Sequence, residues 1–157
     1  MSLKRSKGST PGIGSSQTPY AAKVAITSDQ TITLDTPTEV AWDTTIFATD
    51  ASLVSLADNA FVAPVDGVYE VQMLVYWSTG NVVDFRVHAF IDDVAPANNY
   101  LLRYAGAAAQ YPAKIASGMF EMSAGEKLTI DVYSTISTYL RGTSSAERTW
   151  ATFKRIA

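Results

Sequence analysis

The sequence predicts an all-β protein built as an antiparallel sandwich, and three observations carry that prediction. From residue 21 onward apolar residues recur with a period of two rather than 3.6; the short alternating runs follow one another at the spacing of a sandwich; Asp, Asn, Gly, Pro and Ser separate them. The one helix-friendly stretch, Ala105 to Gln110, has neither caps nor an apolar stripe and makes at most one turn. The chain has 157 residues, 47% hydrophobic and 17% charged. A chain of this size buries roughly 68–70% of its unfolded surface, so one domain without staples is expected to hold nearly everything. With no cysteine, disulfide and thiolate-metal chemistry are excluded.

The elements follow in order. Residues 1–20 combine small, polar, Gly and Pro residues with Lys4, Arg5 and Lys7, and no acid precedes Asp29. Such a stretch cannot bury enough apolar surface to offset the entropy of ordering its backbone, so it reads as a flexible docking arm. The remaining chain, 21–157, carries nine basic against fifteen acidic side chains and offers no general attraction for nucleic acid. Neither a signal-peptide core nor about 18 uninterrupted apolar positions occurs, which leads us to expect a soluble protein, made in the cytoplasm, with no membrane partner.

Strands are expected at Lys23–Thr27, Thr31–Leu34, Glu39–Trp42 and Ser52–Leu56. The run from Gly67 to Trp77 is the clearest: Tyr69, Val71, Met73, Val75 and Trp77 share one face, which is core, while Glu70, Gln72, Leu74 and Tyr76 share the other. The segment from Val82 to Ile91 alternates again, Phe85, Val87 and Ala89 against Asp84, Arg86 and His88, and reads as the antiparallel companion of the preceding strand. The stretch from Asp92 to Pro112 holds Tyr100, Arg103, Tyr104 and Tyr111 among small residues; it is either a contact loop for protein or glycan, or contains a short strand from Tyr100 to Tyr104. Lys114–Met122, Leu128–Tyr133, Tyr139–Arg141 and Thr149–Ile156 complete the set.

The approach to the clearest strand carries a resemblance. Phe61-Val-Ala-Pro-Val-Asp-Gly67-Val-Tyr69-Glu-Val71 resembles the signature of the tumour-necrosis-factor and complement globular-head superfamily, with Ser117-Gly118, Phe120, Met122, the Gly125-Glu126 turn and Thr152-Phe153 following in the same order. It covers residues 21–157. Val71 stands where a Phe is usual and Lys154 where a Gly is usual, which places the chain in a distant branch. The resemblance implies a ten-stranded jelly roll packed as a homotrimer. On that expectation Leu74, Tyr76, Tyr133 and Trp150, which lie on the non-core parity of their strands, become candidate trimer contacts, because exposed aromatic patches usually mark an interface. Independently of the family, Gly67 suits a position that needs close backbone approach or positive φ, and Tyr69 and Phe153 suit the space between two sheets.

Chemistry is sparse. The single histidine, His88, lies between Arg86 and Phe90 on the polar parity, without a Gly-x-Ser-x-Gly elbow, and reads as a surface or interface residue rather than a catalytic base. Asp92 and Asp93 read as a solvated turn rather than a calcium site. The glycines of the arm follow no strand and precede no Gly-Lys-Ser/Thr, so no phosphate loop is expected. No enzyme, cofactor or metal is expected.

A trimeric jelly roll with a basic Gly/Ser/Pro arm resembles the cement and decoration proteins of tailed bacteriophages. That resemblance implies a virion protein on the capsid surface, with the major capsid protein as partner and Lys4, Arg5 and Lys7 in the docking arm. A head-fibre or receptor-binding tip that binds host glycan or protein is the alternative, and a secreted complement- or cytokine-like ligand is the third.

Overall fold

The structure is a computed structural model that describes residues 19–78, 84–97, 99–105, 113–144 and 148–157. The arm residues Lys4, Arg5 and Lys7, the contact candidate Tyr111 and nearly all of the stretch expected to make a helical turn lie outside the described residues. The strands are β1 (Ala21–Ala25), β2 (Gln30–Ile32), β3 (Thr38–Glu39), β4 (Thr44–Ala48), β5 (Val54–Ser55), β6 (Ala60–Val62), β7 (Gly67–Ser78), β8 (Asp84–Ile91), β9 (Tyr100–Ala105), β10 (Ala113–Met122), β11 (Lys127–Ser134), β12 (Thr138–Leu140) and β13 (Trp150–Arg155). Five of the described strands, β2, β3, β5, β6 and β12, are only two or three residues long, which is why the count exceeds the ten expected for the jelly roll. Among the described residues one 3-10 turn, Ala51–Leu53, is capped by Asp50, whose carboxylate accepts from the Ser52 amide at 2.9 Å.

Two antiparallel sheets face one another. The first has the order β2-β12-β7-β13-β1-β4, with β10 on the other edge of β7; the second has the order β5-β6-β11-β8-β9, with β3 also paired to β11. The strands β7 and β8, read from the sequence as companions, lie in different sheets. The physical reason is in their shared core: Trp77 near the end of β7 stacks on Phe85 at the start of β8, ring centroids 4.3 Å apart, so the chain crosses the interior there rather than folding back beside itself.

The period-two expectation fixes the interior. Tyr69, Val71, Met73, Val75 and Trp77 are all fully buried, as are Phe85, Val87 and Ala89 from the opposing sheet, with Leu128, Ile130 and Val132 of β11. Phe153 of β13 is sandwiched between Phe61 at 5.0 Å and Tyr69 at 4.6 Å, and the Tyr69 hydroxyl donates to the Val65 carbonyl at 2.7 Å. The stretch from Tyr100 is strand β9, at the edge of the second sheet. Gly67 meets the first of its two expectations, close backbone approach: a Cβ there would collide with the Ala157 carbonyl oxygen and with Arg155, while the glycine with left-handed backbone is Gly125, φ 90°. Two strands have no counterpart in the sequence reading, β4 and β6. In β4 Ile46 and Phe47 are neighbours and both exposed, so no alternation marks it.

Candidate functional site

The outward face of the first sheet is assembled by register. One row across it runs Ala25, Trp150, Leu74, Ile115, each paired with the next on β1, β13, β7 and β10. The adjoining row runs Phe47, Lys23, Thr152, Gln72, Ser117, and the next runs Ala21, Lys154, Glu70, Met119. Leu74, Tyr76 and Trp150 are half-buried on this face, whereas Phe47, Ile115 and Met119 are exposed, the last two to 60% and 66%. Large apolar side chains thus stand side by side on three strands, β13, β7 and β10, while Phe47 and Met119 stand apart from them beside Lys23 and Glu70.

Cations edge the patch and lie over its rings. The Lys23 ammonium is 4.4 Å from the Trp150 ring centroid, and the Arg148 guanidinium is 5.6 Å from that of Tyr76. Between the apolar rows, Gln72 donates to Glu70 at 3.1 Å, so the polar strip is internally bonded. Such an arrangement supplies apolar contact area beside a partly satisfied polar strip.

Three of the four expected trimer contacts, Leu74, Tyr76 and Trp150, are brought to this face. Tyr133 is not: it lies on β11 in the second sheet, paired with Arg86, where its hydroxyl donates to Asp35 at 2.8 Å and the Arg86 guanidinium sits 5.0 Å from its ring. Parity alone placed it outward but could not say on which sheet. Conversely, Ile115, Met119 and Phe47 belong to this face without having been singled out. The alternation of β10 around Ala116, Phe120 and Met122 held the signal for Ile115 and Met119, while Phe47 left none because β4 does not alternate.

The expected contact residues of the other region lie on β9. Tyr100 is 56% exposed and stands edge-on to His88; Arg103 reaches Asp84 at 3.3 Å; Tyr104 is half-buried, tilted against Trp77 at 6.0 Å and under the Lys114 ammonium at 5.3 Å. Asp84 accepts from both Arg86 and Arg103, and the Arg86 hydrogen bond holds its carboxyl below the usual aspartate value.

On the same outward face of the second sheet a row runs Tyr100, His88, Asp131, Glu39 across β9, β8, β11 and β3. Burial pushes the Asp131 carboxyl up, and the facing Glu39 and nearby Asp93 add to the effect. Beside the row a cavity of about 430 Å³ is lined by Glu39, Asp58, Asp92, Asp93, Lys127 and Thr129. Asp92 and Asp93 form a two-residue hairpin turn, both with positive φ, closed by Ile91 and Val94; the Asp92 carboxylate accepts the Lys127 amide at 3.0 Å, and Asp58 holds the Lys127 ammonium at 2.8 Å. Among the described residues no group of three or more His, Asp or Glu is placed to hold a metal ion.

Two antiparallel sheets in this order define a jelly roll of the tumour-necrosis-factor-like class. Among solved structures the chain is similar to murine APRIL. It matches the crystal structure at pH 8.0 with a TM-score of 0.64 and 13% identity, over 88% of this chain and 100% of that one. The structures at pH 8.5 and pH 5.0 give TM-scores of 0.63, with 13% and 14% identity and the same coverage. The likeness is one of fold. No protein-family model matches the sequence, and no curated protein matches it.

Proposed function

We propose that the protein is a homotrimeric capsid cement or decoration protein. In this reading it docks on the surface of a viral shell through its basic N-terminal arm and stabilises that shell by bridging neighbouring capsid subunits, without enzymatic chemistry. The observation that carries the trimer is the outer face of the first sheet, where Trp150, Leu74 and Ile115 lie side by side and Phe47 and Met119 are exposed beyond a polar strip. An apolar row with further exposed apolar side chains on the same sheet face suits a protein interface. The likeness to murine APRIL supports a jelly roll suited to either a structural protein or a ligand. The capsid partner rests on the sequence: Lys4, Arg5 and Lys7 sit in a Gly/Ser/Pro stretch ahead of a net-acidic domain. Three such arms on one trimer would raise effective concentration at a three-fold site and multiply a weak contact into stable attachment. The synthesis site would be the host cytoplasm and the final location the virion.

Native mass spectrometry before and after brief trypsin treatment tests both halves of this reading. The expected result is a trimer that loses only the first residues of the arm, by cleavage after Lys4, Arg5 or Lys7. A monomer would overturn the trimer. Particles that retain a protein lacking residues 1–20 as well as the full chain would overturn arm docking. The receptor-binding alternative draws on the exposure of Tyr100 on edge strand β9; it requires saturable binding to host cells, which the decoration reading does not.

A further inference from the structure

The chain has one histidine, and its seat is unusual. The His88 ring stands edge-on to Tyr100, centroids 4.4 Å apart at 78°, and also meets Phe90 at 6.4 Å. Its Nε2 is buried and has no hydrogen-bond partner among the described residues. The charged and titratable groups that face it come from each packed element: Arg86 and Asp84 from its own strand β8, Tyr100 and Arg103 from β9, and Asp131 directly opposite on β11, with Glu39 of β3 and Asp93 beyond Asp131. Asp84, whose carboxylate would favour a charged ring, already accepts from Arg86 and Arg103.

The pairing of β8 with β9 is irregular at the same point. Val87 is opposite Leu102 and His88 opposite Tyr100, so the register shifts between them and Leu101 is the extra residue. Strand β9 is the last strand of its sheet and has no ladder on its other side among the described residues. The first residues of β9 therefore depend on the bonds to β8 beyond the bulge and on the seat of Tyr100 against His88.

We propose that His88 is a proton-operated latch for the Tyr100 end of β9: the neutral imidazole holds that end against β8, and protonation releases it. A charged ring at this position has no acceptor for its Nε2, and the Arg86 guanidinium repels it. The Nε2 can gain solvent and a hydrogen bond only if the half-buried ring shifts in its seat, and Tyr100, which stands against it on the edge strand, must move with it. Burial foremost, and Arg86 next, hold the His88 proton affinity below the ordinary value of 6.5. The opened form therefore takes the proton more readily than the closed form. The latch is shut above about pH 6.5, and the opening constant grows by up to about tenfold per pH unit as pH falls below that value. This holds for the jelly roll whatever its partner is.

The full-length protein suffices for the test, because a single histidine gives a single imidazole signal. Its proton NMR titration is recorded from pH 8 to 4.5 beside amide hydrogen exchange of Tyr100, Leu101 and Leu102, each taken as a ratio to Phe153 in β13 to cancel the intrinsic pH dependence of exchange. The expected result is a midpoint below 6.5, with the β9 ratio rising severalfold across the same window and staying flat in His88→Phe, which keeps the ring contact without a proton to gain. Should His88→Phe fail to fold, His88→Gln serves as the uncharged variant. A wild-type midpoint at or above 6.5, or a β9 ratio that changes with pH equally in the wild type and the uncharged variant, would overturn the latch.

Discussion

At the scale of single residues the molecule carries two local costs that substitution should relieve. Asp92 and Asp93 turn the chain with φ of 47° and 64°, a geometry in which Gly at the second position is strongly preferred. Asp93→Gly is expected to raise stability by about 1 kcal/mol in urea denaturation. Asp92→Gly should not give the same gain, because it loses the bond from the Lys127 amide. The second cost is at Asp131, opposite Glu39 in register. Its proton affinity is raised in the fold, so the stability linked to it is fully present below its ordinary value of 3.8 and is lost as pH rises through the raised one. Asp131→Asn is therefore expected to stabilise the protein by about 0.5–1 kcal/mol at pH 7 and to make little difference near pH 3.5, as read from paired denaturation curves. Neither cost was visible in the sequence. A pair of aspartates in a turn looks ordinary until the signs of φ are known, and residues 39 and 131 become neighbours only through β3 and β11.

Strands were legible where one face is core and the strand is long. The parity of β7, β8, β10 and β11 could be read directly, because most interior positions are buried and a shift by one residue would expose them together. Which strands share a sheet was not legible: β7 and β8 alternate alike yet sit in opposite sheets, and Tyr133 went with the wrong face for the same reason. Strand pairing also decides the candidate interface. Ile115 and Met119 face outward from β10 and are mostly exposed, so charging them should cost the single subunit little. Ile115→Lys combined with Met119→Lys is expected to leave the far-ultraviolet circular dichroism unchanged and to lower the mass found by light scattering from trimer to monomer. Tyr133→Ala, on the other sheet, should leave the trimer mass unchanged.

At the scale of the whole molecule the strands that close the first sheet come from opposite ends of the described chain. Strand β13 lies between β7 and β1, with Ala21 opposite Lys154, and Arg141 reaches Asp29 across 112 positions of sequence. Contacts of this separation must await the collapse of nearly the whole chain, and such topologies fold in milliseconds to seconds rather than microseconds. Stopped-flow refolding followed by tryptophan fluorescence is expected to fall in that slow range, because Trp77 and Trp42 are buried only when both sheets have met.

The central place of β13 has a further consequence for production of the protein. Until that strand arrives, β7 and β1 each present an unpaired ladder edge beside an apolar row, and two half-folded chains can satisfy those edges with each other as readily as with their own β13. Refolding yield should therefore fall as protein concentration rises, and slow dilution or low-temperature expression should recover the protein that rapid refolding loses to aggregates.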